Sequence, residues 1–436
     1  MLHDYKTIHS VVINQMCTGC GTCVGLCPVS AIEMFRDDSK GVFTAKLDSN
    51  KCTKCGICYQ SCPGHSVDYS ELNHKIFGKE PEDVLVGEYL NCYVGHTTDH
   101  NIRYNSASGG LVTALLLFAL DEGFIDGALV TKMNSNNPLE PYTFIAKTRD
   151  ELISASKSKY CPVPANVALK EISKSNGKFA VVGVPCHLHG IRKAEMNNGK
   201  LKEKIALHMG LFCSHTPNLW GTIVLLKRLG IRKEEVINID YRGEGWPGYM
   251  NIYLKNGDIR RLKSNDVWGF MGLDFFTPRR CLMCSDILNE LADISFGDAW
   301  LSKQLIDDKI GASIILSRTK IGEQLLQAAM SKNIVELKPA TAYDVKLSQL
   351  DIIHFKKKCL KARLNIFRHA PHYKMDLINP DFMDYLLSIF LCFNHIISQN
   401  CYFRLLIERT PQLFINLYYE PYRRIYRKKI RELIDD

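Results

Sequence analysis

The sequence lacks the features of several common protein classes. Its N-terminus has no charged segment followed by an apolar one, so we expect no secretory signal peptide. Its most apolar window, residues 385–397, is shorter than the roughly 20 residues that a membrane span needs. No array of lysine and arginine interleaved with aromatic residues is present, and the net charge is a modest +9, so no nucleic-acid partner is expected. These absences favour a cytoplasmic globular protein.

Cysteine, in contrast, is abundant, with 17 copies in 436 residues. In a secreted protein this number would indicate a disulfide framework, but without a secretion signal thiolate ligands are the expectation. We also expect an anaerobic or oxygen-poor setting, because exposed thiolate-bound metal centres are fragile to oxidation. The hydrophobic fraction of 46% and the charged fraction of 23% are typical of a globular protein. At roughly 150 residues per domain, the length suggests about three domains.

Two cysteine blocks repeat at a fixed offset. Residues 17–34 read CTGCGTCVGLCPVSAIEM and residues 52–69 read CTKCGICYQSCPGHSVDY, and each contains C-x2-C-x2-C-x3-C-P. In this spacing three cysteines of a block hold one [4Fe–4S] cluster and the fourth reaches the other cluster. The predicted sets are Cys17, Cys20, Cys23 and Cys62 for one cluster, and Cys52, Cys55, Cys58 and Cys27 for the other. A pair of zinc sites is the alternative, which two identical blocks disfavour.

After residue 80, predicted strands alternate with predicted helices. Apolar and β-branched runs predict strands at 127–133, 179–185, 204–213, 236–241, 293–296 and 313–317, and amphipathic stretches predict helices at 111–120, 219–229 and 322–330. The dipeptide Asn256-Gly257 predicts a hairpin between 249–255 and 258–263. We therefore predict an α/β core with a mixed sheet over residues 80–345. A small α+β ferredoxin-like domain with two clusters precedes it at 1–79, and a helical extension follows at 346–436.

Four later cysteines lie where predicted strands end or loops turn. They are Cys186, Cys213, Cys281 and Cys284. Cys186 is predicted to end the strand in AVVGVPC, Cys213 to end IALHMGLFC, and the other two form a Cys-x-x-Cys pair. Because strand ends and a loop can converge on one point, the four are candidates for a further cluster site. The residues alone leave a structural zinc site or unconnected buried thiols as alternatives.

Three segments are candidates for contact with an anionic or polar ligand. Residues 105–110, NSASGG, precede a predicted helix, and backbone N–H groups at a helix N-terminus favour phosphate oxygens. An ordinary serine cap is the alternative. Lys159 in SKSKY is a candidate for an anionic ligand, and Asp298 in DISFGDAW follows a predicted strand, where α/β sheets place ligands. A solvated lysine and a turn aspartate are the alternatives. No Gly-x-Gly-x-x-Gly lies between a strand and a helix, so a Rossmann dinucleotide site is not indicated.

These segments together resemble the coenzyme F-420 hydrogenase/dehydrogenase beta-subunit family. SASGG before a helix, SKY, VVGVPC, GLFC, Cys-x-x-Cys and ADISFGDAW occur in the family's order, closely over residues 90–300 and less clearly to about 340. Several family members also carry an N-terminal two-cluster ferredoxin module. The resemblance implies a flavoprotein that binds FAD and one [4Fe–4S] cluster in the core domain.

Carried over by position, the resemblance assigns ligands to this chain. Cys186, Cys213, Cys281 and Cys284 match the family's cluster cysteines. Ser108, Gly109 and Gly110 match its flavin-side turn, and the segments with Lys159 and Asp298 match as well. No catalytic side chain is assigned, because FAD supplies the chemistry that links a two-electron hydride carrier to one-electron clusters.

The C-terminal residues follow a different pattern. Apolar and aromatic stretches at 385–397, 401–407 and 413–419 precede a basic cluster of Arg423, Arg424, Arg427, Lys428, Lys429 and Arg431. Apolar helices that end in basic residues can lie on an anionic membrane surface, so peripheral contact with the inner face of a membrane is one hypothesis. The alternative, which these residues favour, is a helical extension packed on the body with a solvated basic tail.

The predicted function is that of an iron–sulfur flavoprotein oxidoreductase, an enzyme of electron transfer. It would pass electrons between a small-molecule hydride carrier, coenzyme F-420 or a similar compound, and a one-electron protein partner or redox subunit, through FAD and [4Fe–4S] clusters. One alternative is an FAD and iron–sulfur reductase associated with surface-polysaccharide biosynthesis that does not use F-420. Another is an electron-transfer adaptor without flavin. The physiological substrate, the direction of electron flow and the oligomeric state do not follow from the sequence.

Overall fold

The computed structural model describes residues 6–301 and 309–435, with side chains to residue 430. The side chain of Arg431, part of the predicted basic cluster, lies outside the described residues. The strands are β1 Ile32–Asp37, β2 Val42–Leu47, β3 Ser66–Asp68, β4 Asn91–Thr97, β5 Gly127–Met133, β6 Pro141–Ala146, β7 Phe179–Gly183, β8 Ile205–Leu211, β9 Val236–Asp240, β10 Tyr249–Leu254, β11 Ile259–Lys263, β12 Ile294–Asp298, β13 Ser313–Ser317, β14 Val335–Ala340 and β15 His372–Lys374.

The helices of the described residues are α1 Ile8–Ile13, α2 Thr22–Leu26, α3 Ile57–Gln60, α4 Tyr69–Phe77, α5 His100–Tyr104, α6 Leu111–Asp121, α7 Arg149–Ser154, α8 Leu169–Lys174, α9 Pro185–Asn197, α10 Gly199–Lys204, α11 Leu219–Arg228, α12 Ser264–Met271, α13 Arg279–Leu282, α14 Lys320–Ser331, α15 Ala342–Ser348, α16 Leu350–Ile353, α17 Leu360–Ile366, α18 Phe382–Ser398, α19 Cys401–Arg409 and α20 Gln412–Asp435. A π-helix, His354–Lys358, joins α16 to α17.

The two cysteine blocks form two similar loop-and-helix units. In each block a glycine with positive φ precedes a short helix, Gly21 before α2 and Gly56 before α3. Glycine suits these positions because a side chain at positive φ is strained. The antiparallel pair β1–β2 lies between the two units in sequence. The predicted small α+β ferredoxin-like domain is therefore present.

The core is one eight-stranded sheet in the order β14-β4-β13-β12-β8-β7-β5-β6. Neighbouring strands among β5, β7, β8 and β12 pair in parallel, while β6, β13, β4 and β14 pair antiparallel with their neighbours. The predicted mixed α/β sheet is confirmed. The sequence pattern did not indicate β4, β6 and β14, of which β4 joins two other antiparallel strands.

Apolar side chains alternate between the two faces of this sheet. Ile315 of β13 packs in a cluster with α6 and α14, whereas Ile314 and Leu316 pack in a cluster on the opposite face. This alternation is the period of two expected of a strand buried on both faces. The helix α6 is buried along its length, with Leu115 and Ala119 fully inaccessible. This packing holds the carboxyl ends of β8 and β12 in place. The predicted site residues Cys213 and Asp298 lie at these two ends.

Two smaller sheets complete the fold. The predicted hairpin β10–β11 turns at Gly257, which has a φ of +90°, and β9 pairs antiparallel with β10. The short strand β15 pairs in parallel with β3, so the segment after residue 345 adds a strand beside the second cysteine block. That segment is otherwise helical, as predicted. The division of the chain into domains at residues 79 and 345 stays a prediction.

No single helix within the described residues is long and apolar enough to cross a membrane. Helices α18 and α19 reach the length and apolar composition of a membrane span only when they are taken together, and a bend of 102° separates them. On α18 the large apolar side chains form two faces, one buried against the body and one exposed. The buried face includes Leu387 and Leu391, so this helix is part of the packed structure.

Candidate redox site

The first predicted cluster set comes together at the base of the ferredoxin module. Cys20, Cys23 and Cys62 are buried, and Cys17 is half-buried. Burial, and then the neighbouring thiols of Cys20 and Cys17, raise the pKa of Cys62 to about 12. Cys62 therefore lies beside the first block, although it belongs to the second block in sequence. This is the crossover that the C-x2-C-x2-C-x3-C-P spacing predicts.

The second predicted set lies at the surface of the module. Cys27, Cys52, Cys55 and Cys58 line one small cavity of about 20 Å³. Cys55 is exposed and Cys58 is buried. Backbone N–H groups donate to sulfur in both sets, from Ala31 to Cys27 at 3.2 Å and from Gly64 to Cys62 at 3.3 Å. Such donors suit thiolate sulfur, because hydrogen bonds to the charged form stabilise it.

The ferredoxin module packs closely against the core and forms hydrogen bonds with it. The backbone N–H of Asn166 donates to the carbonyl of Cys20 at 2.9 Å, and the Asn166 side chain donates to Thr22 and to the carbonyl of His187, both at 2.8 Å. A Cβ on Gly25 would overlap the carbonyl oxygen of Asn166. Close packing of this kind leaves one arrangement of the module on the core.

The four later cysteines also come together. Burial, followed by the thiols of Cys20, Cys213, Cys281 and Cys284, raises the pKa of Cys186 well above its ordinary value. The structure thus brings the four predicted residues to one place, beside Cys20 of the first set.

The position of Cys186 differs from the prediction in one respect. The sequence predicts that Cys186 ends a strand, but β7 stops at Gly183 and Cys186 is the second residue of α9. Pro185 starts that helix, because proline is favoured in the first turn. The thiol is therefore presented from the first turn of a helix that follows the strand.

The spacing of these sulfurs differs from that of a single bound ion. Four thiolates around one zinc, each about 2.3 Å from it, would lie about 3.8 Å apart. Among the residues that the structure describes, only His354, Cys359 and Asp384 bring three ligand atoms within 4.8 Å of one another. None of the twelve predicted cluster cysteines belongs to that group. No three of these twelve sulfurs therefore lie within 4.8 Å of one another.

A lysine that the sequence did not reveal lies beside the core cysteines. The ammonium group of Lys356, in the π-helix, is 3.3 Å from the sulfur of Cys284 and donates to the carbonyl of Asp286 at 2.7 Å. The residue is 1% exposed. Burial lowers its pKa, but the thiols of Cys284, Cys213 and Cys281 outweigh that effect and hold the pKa above its ordinary value. A fixed positive charge therefore faces the core cysteines.

A cavity of about 500 Å³ opens beside the same cysteines. Its volume lies in the range of small-molecule and cofactor sites. Four of the predicted segments line it, through Ser108 and Gly110, Lys159, Asp298 and Cys213. Gly109 is not among the lining residues. The cavity thus joins the predicted flavin residues to one of the core cysteines.

The glycines before α6 allow the chain to approach β13 closely. A Cβ on Gly109 would lie 2.5 Å from the carbonyl oxygen of Gly95 and 2.8 Å from the backbone nitrogen of Ser313. Gly110 has a φ of +74° and caps α6. Ser108 shares a hydrogen bond of 2.7 Å with the hydroxyl of Ser313. Leu111, Val112 and Thr113 of the first turn of α6 line the cavity, and the first backbone N–H groups of a helix have no partner in the helix itself.

Lys159 and Asp298 both have protein partners. The Lys159 ammonium donates to the carbonyls of Ala155, Ser156 and Lys157 at 2.5, 2.6 and 2.9 Å. Burial lowers its pKa to about 7. Because the ammonium already donates to three carbonyls, a bound anion would have to displace one of them. A role of Lys159 in holding an anion stays a prediction. The Asp298 carboxylate accepts from Arg242 at 3.0 Å.

Arg242 and His215 also line the cavity, and neither is among the site residues predicted from the sequence. Arg242 is 4% exposed, donates to Tyr160 at 3.0 Å and to the carbonyl of Ala107, and has an Nε atom without a hydrogen-bond partner. His215 Nε2 is likewise buried without a partner. Each follows a strand end, after β9 and β8, which is the only sequence signal that would have indicated them.

Comparison with known proteins gives three family matches. The family model for the N-terminal part of the coenzyme F-420 hydrogenase/dehydrogenase beta subunit matches residues 92–170, and the model for the C-terminal part matches residues 176–343. A 4Fe-4S dicluster domain matches residues 16–65. Coenzyme F-420 hydrogenase subunit beta of Methanosarcina barkeri is 30% identical over 271 residues, which is 59% of this chain and 84% of that protein.

Two further matches extend the comparison. Coenzyme F-420-dependent sulfite reductase of Methanocaldococcus jannaschii is 27% identical over 380 residues, 84% of this chain and 53% of that protein. Among solved structures, a chain of the F-420-reducing [NiFe] hydrogenase complex from Methanosarcina barkeri is similar, with a TM-score of 0.53 and 25% identity. That match covers 67% of this chain and 98% of the hydrogenase chain.

Proposed function

Because the chain belongs to the coenzyme F-420 hydrogenase/dehydrogenase beta-subunit family, we propose that it is an iron–sulfur flavoprotein oxidoreductase. It passes electrons between a hydride carrier and a one-electron protein partner. The carrier is coenzyme F-420 or a compound of the same hydride chemistry, in keeping with the names of the relatives. The N-terminal part is an iron–sulfur domain, as its dicluster match indicates.

One arrangement carries this proposal: the cavity and the three cysteine sets form a continuous series. Cys213 lines the cavity and belongs to the core set. Cys186 of the core set lies near Cys20 of the first ferredoxin set. The first set is largely buried, while the second set includes the exposed Cys55. Such a series supports transfer between a small molecule in the cavity and a protein docked at the ferredoxin surface.

The polar groups that line the cavity support FAD as its occupant. Bound there, FAD would supply the conversion between two-electron hydride chemistry and one-electron transfer. The N-terminal N–H groups of α6, with Ser108 and Gly110, would hold its phosphate oxygens. The unpartnered Nε of Arg242 and Nε2 of His215 offer further polar groups for a bound cofactor. Arg242 also keeps the Asp298 carboxylate in place at the cavity wall.

The four core cysteines fit a third [4Fe–4S] cluster. Burial raises the pKa of Cys186, of Cys213 (to about 12) and of Cys281. These three thiols would stay protonated alone, so their ionisation needs a cationic partner. The Lys356 ammonium supplies one positive charge, and a bound cluster would supply the rest. The spacing of the sulfurs, wider than around a single ion, favours a cluster over a zinc ion.

Cofactor content is the first test. Full-length protein, purified and reconstituted without oxygen, should hold about twelve irons and one FAD per chain. About eight irons, whatever the zinc content, would reject the core cluster and leave the ferredoxin assignment intact. Flavin-free protein with all its iron would favour an electron-transfer adaptor.

The order of electron transfer is the second test. Reduced F-420, mixed with the protein in a stopped-flow instrument, should bleach the flavin absorbance before that of the clusters. In Cys20→Ser the bleaching of flavin should persist, while delivery to a protein acceptor slows. Cys92→Ser, which changes a buried cysteine outside the three sets, is the control. If reduced F-420 never bleaches the wild-type flavin, the carrier is a different one, and the reductase of polysaccharide biosynthesis becomes the leading alternative.

A membrane contact is proposed for the C-terminal helices. On α18, Phe382, Leu386, Ile389, Phe393 and Ile396 recur at spacings of four and three residues and are all exposed. This spacing places them on one face of the helix. Leu413, Phe414 and Leu417 of α20 are exposed as well, next in sequence to the basic residues 423–429. A large exposed apolar patch beside basic charge is typical of a surface that meets anionic lipid.

A further inference from the structure

A buried group of three potential ligands lies outside the redox site. His354 begins the π-helix, Cys359 follows that helix directly, and Asp384 lies in the first turn of α18. Their exposed fractions are 2%, 3% and 6%. Cys359 has no ligand spacing in the sequence, and no part of the proposed electron transfer uses any of the three. They join the C-terminal helices to the segment that follows the core sheet.

The distances within this group suit a metal ion. The sulfur of Cys359 lies 3.9 Å from His354 Nε2 and 3.5 Å from Asp384 Oδ1, and these nitrogen and oxygen atoms are 3.2 Å apart. A point about 2.1 Å from all three atoms lies at the centre of that triangle, and zinc lies about 2.0–2.3 Å from nitrogen, oxygen and sulfur ligands. The sulfur also lies 3.5 Å from His354 Nδ1, to one side of the Nε2 lone pair, so an ion near this point would reach all three atoms after a rotation of the imidazole ring, without movement of the backbone.

The surroundings orient the carboxylate of this group and pack against its imidazole. Asp384 Oδ2 accepts the backbone N–H of Asp381 at 3.1 Å, which orients Oδ1 toward the sulfur and the imidazole. The ring of Tyr426 packs edge-on against His354, with centroids 5.3 Å apart. The helix cap thus orients the carboxylate, and the Tyr426 ring packs against the imidazole.

Charge and donor type indicate which ion would bind. A thiolate, a carboxylate and a neutral imidazole carry two negative charges, which a divalent cation balances in a buried site. Sulfur and nitrogen donors exclude a preference for Mg²⁺ or Ca²⁺, which take oxygen ligands. A mixed set of one sulfur, one nitrogen and one oxygen atom suits zinc, which binds all three types.

We propose that His354, Cys359 and Asp384 bind one zinc ion that ties α18 to the π-helix. Three protein ligands leave a fourth position for a water molecule. The ion would hold the C-terminal helices on the core, and it would also fix the π-helix that places Lys356 beside Cys284. This site shares no ligand with the proposed flavin and iron–sulfur sites.

Zinc content and X-ray absorption of the cluster-loaded, full-length protein test the proposal. After incubation with zinc sulfate without oxygen and passage over a chelating resin, the protein should retain one zinc per chain. The zinc-edge spectrum should show one sulfur at about 2.3 Å and two or three nitrogen or oxygen neighbours at about 2.0 Å. Iron does not contribute at this edge, so the clusters do not interfere.

Matched variants locate the ion. Cys359→Ser and Asp384→Asn should each lose the retained zinc, whereas Cys392→Ser, a buried cysteine on α18 outside the group, should keep it. Wild-type protein that holds no zinc, zinc surrounded by four sulfurs, or zinc kept by both variants would overturn the proposal. If a variant does not fold, as judged by its iron content and circular dichroism, the wild-type spectrum still decides between these outcomes.

Discussion

Lys356 is the residue whose charge is expected to act most directly on the proposed core cluster. Its ammonium lies 3.3 Å from the sulfur of Cys284 in a site closed to solvent. Reduction of a cluster adds negative charge, which a nearby cation stabilises. Lys356→Gln should therefore lower the reduction potential of the core cluster by on the order of 100 mV, given an effective dielectric constant of about 20 and 59 mV per tenfold change in equilibrium.

A redox titration monitored by electron paramagnetic resonance would measure this shift. Lys356→Arg keeps the positive charge and should restore most of the potential. Lys358→Gln is the control, because it removes the same charge from the same π-helix. Lys358 is half-buried, whereas the two lysines before it, Lys356 and Lys357, are buried. Equal potentials in Lys356→Gln and wild type would contradict the role given to this lysine.

Buried histidines should make the stability of the protein depend on pH. Burial lowers the pKa of His65, His187, His215 and His395 to about 4 each. Between about pH 6.5 and 4 the unfolded chain takes up protons on these rings that the folded protein does not, so stability falls as the pH falls through this window. Each ring contributes a slope of up to about 1.4 kcal/mol per pH unit, and none contributes above about pH 6.5.

His395 allows this effect to be measured at one site. Its Nδ1 lies 2.8 Å from the carbonyl oxygen of Thr277, to which it donates, and it contacts none of the twelve cluster cysteines. His395→Gln should reduce the loss of thermal midpoint between about pH 6.5 and 5, when measured on cluster-loaded protein without oxygen. His100→Gln, at an exposed position, should not change the loss. An unchanged pH dependence in His395→Gln would argue against the buried neutral ring.

At the scale of elements, α6 connects the main sheet to the proposed cofactor. Gly110 caps its N-terminus at φ +74°, and a Cβ there would lie 2.9 Å from Thr97 Cγ2 and 3.2 Å from the Cα of Arg103. Gly123 follows the other end of the same helix at φ +67°, where a Cβ would meet no atom within 4 Å. Alanine at either position costs about 1 kcal/mol of backbone strain, but only at Gly110 does it also displace neighbours.

Alanine variants at Gly110 and Gly123 distinguish the effect of backbone strain from the loss of the proposed FAD site. Gly110→Ala should reduce the FAD content of the purified protein several-fold, because the first N–H groups of α6 move away from the cavity. Gly123→Ala should lose a similar amount of stability at most and keep its FAD. The ratio of flavin to protein after gel filtration measures both. Full flavin content in folded Gly110→Ala would remove α6 from the proposed binding site.

The π-helix supplies side chains to two separate groups of residues. Lys356 faces the core cysteines, while His354 faces Cys359 and Asp384 at the C-terminal helices. Short π-helical segments are frequent at functional sites, because the extra residue in the turn re-aims the side chains. Neither role is visible in the sequence, in which the residues after 345 indicate only a helical extension.

At the scale of the whole molecule, the exposed face of the C-terminal helices predicts binding to lipid. Full-length protein should sediment with vesicles that contain anionic lipid at low salt and be released as the salt rises, because the Debye length shortens. Replacing two residues of the α18 face, Ile389→Ser with Phe393→Ser, should weaken this binding. Their exposed fractions are 52% and 53%.

The control changes a comparable surface elsewhere. Ile237→Ser with Ile259→Ser removes two exposed isoleucines of the small sheet β9–β11, at 48% and 57% exposed, and should leave the binding to vesicles unchanged. Binding that does not depend on anionic lipid, or that survives the change on α18, would reject the membrane contact. A change from dimer to monomer in the α18 variant would instead indicate that a second copy of the chain covers this face.

Across the whole chain, the sequence determined the features that depend on short-range spacing. The repeated C-x2-C-x2-C-x3-C-P blocks set the crossover of Cys62, because three residues in a tight loop must surround one point and the fourth follows on the next segment, before a proline. The strand at 313–317, the start of α6 at residue 111 and the Asn256-Gly257 turn follow from local periodicity and turn chemistry. Hydrophobic runs also identified the mixed α/β class.

Only the tertiary structure decided what depends on contacts distant in sequence. The pairing of β4 with β13 and β14 was not predicted, because β4 carries no local pattern distinct enough from a loop. The pairing of Arg242 with Asp298 and the contact of Lys356 with Cys284 join residues more than 50 positions apart, and the position of His354 requires a helical turn of unusual pitch. Side-chain charge is visible in a sequence, but its neighbours and its burial are not, and these determine what the charge does.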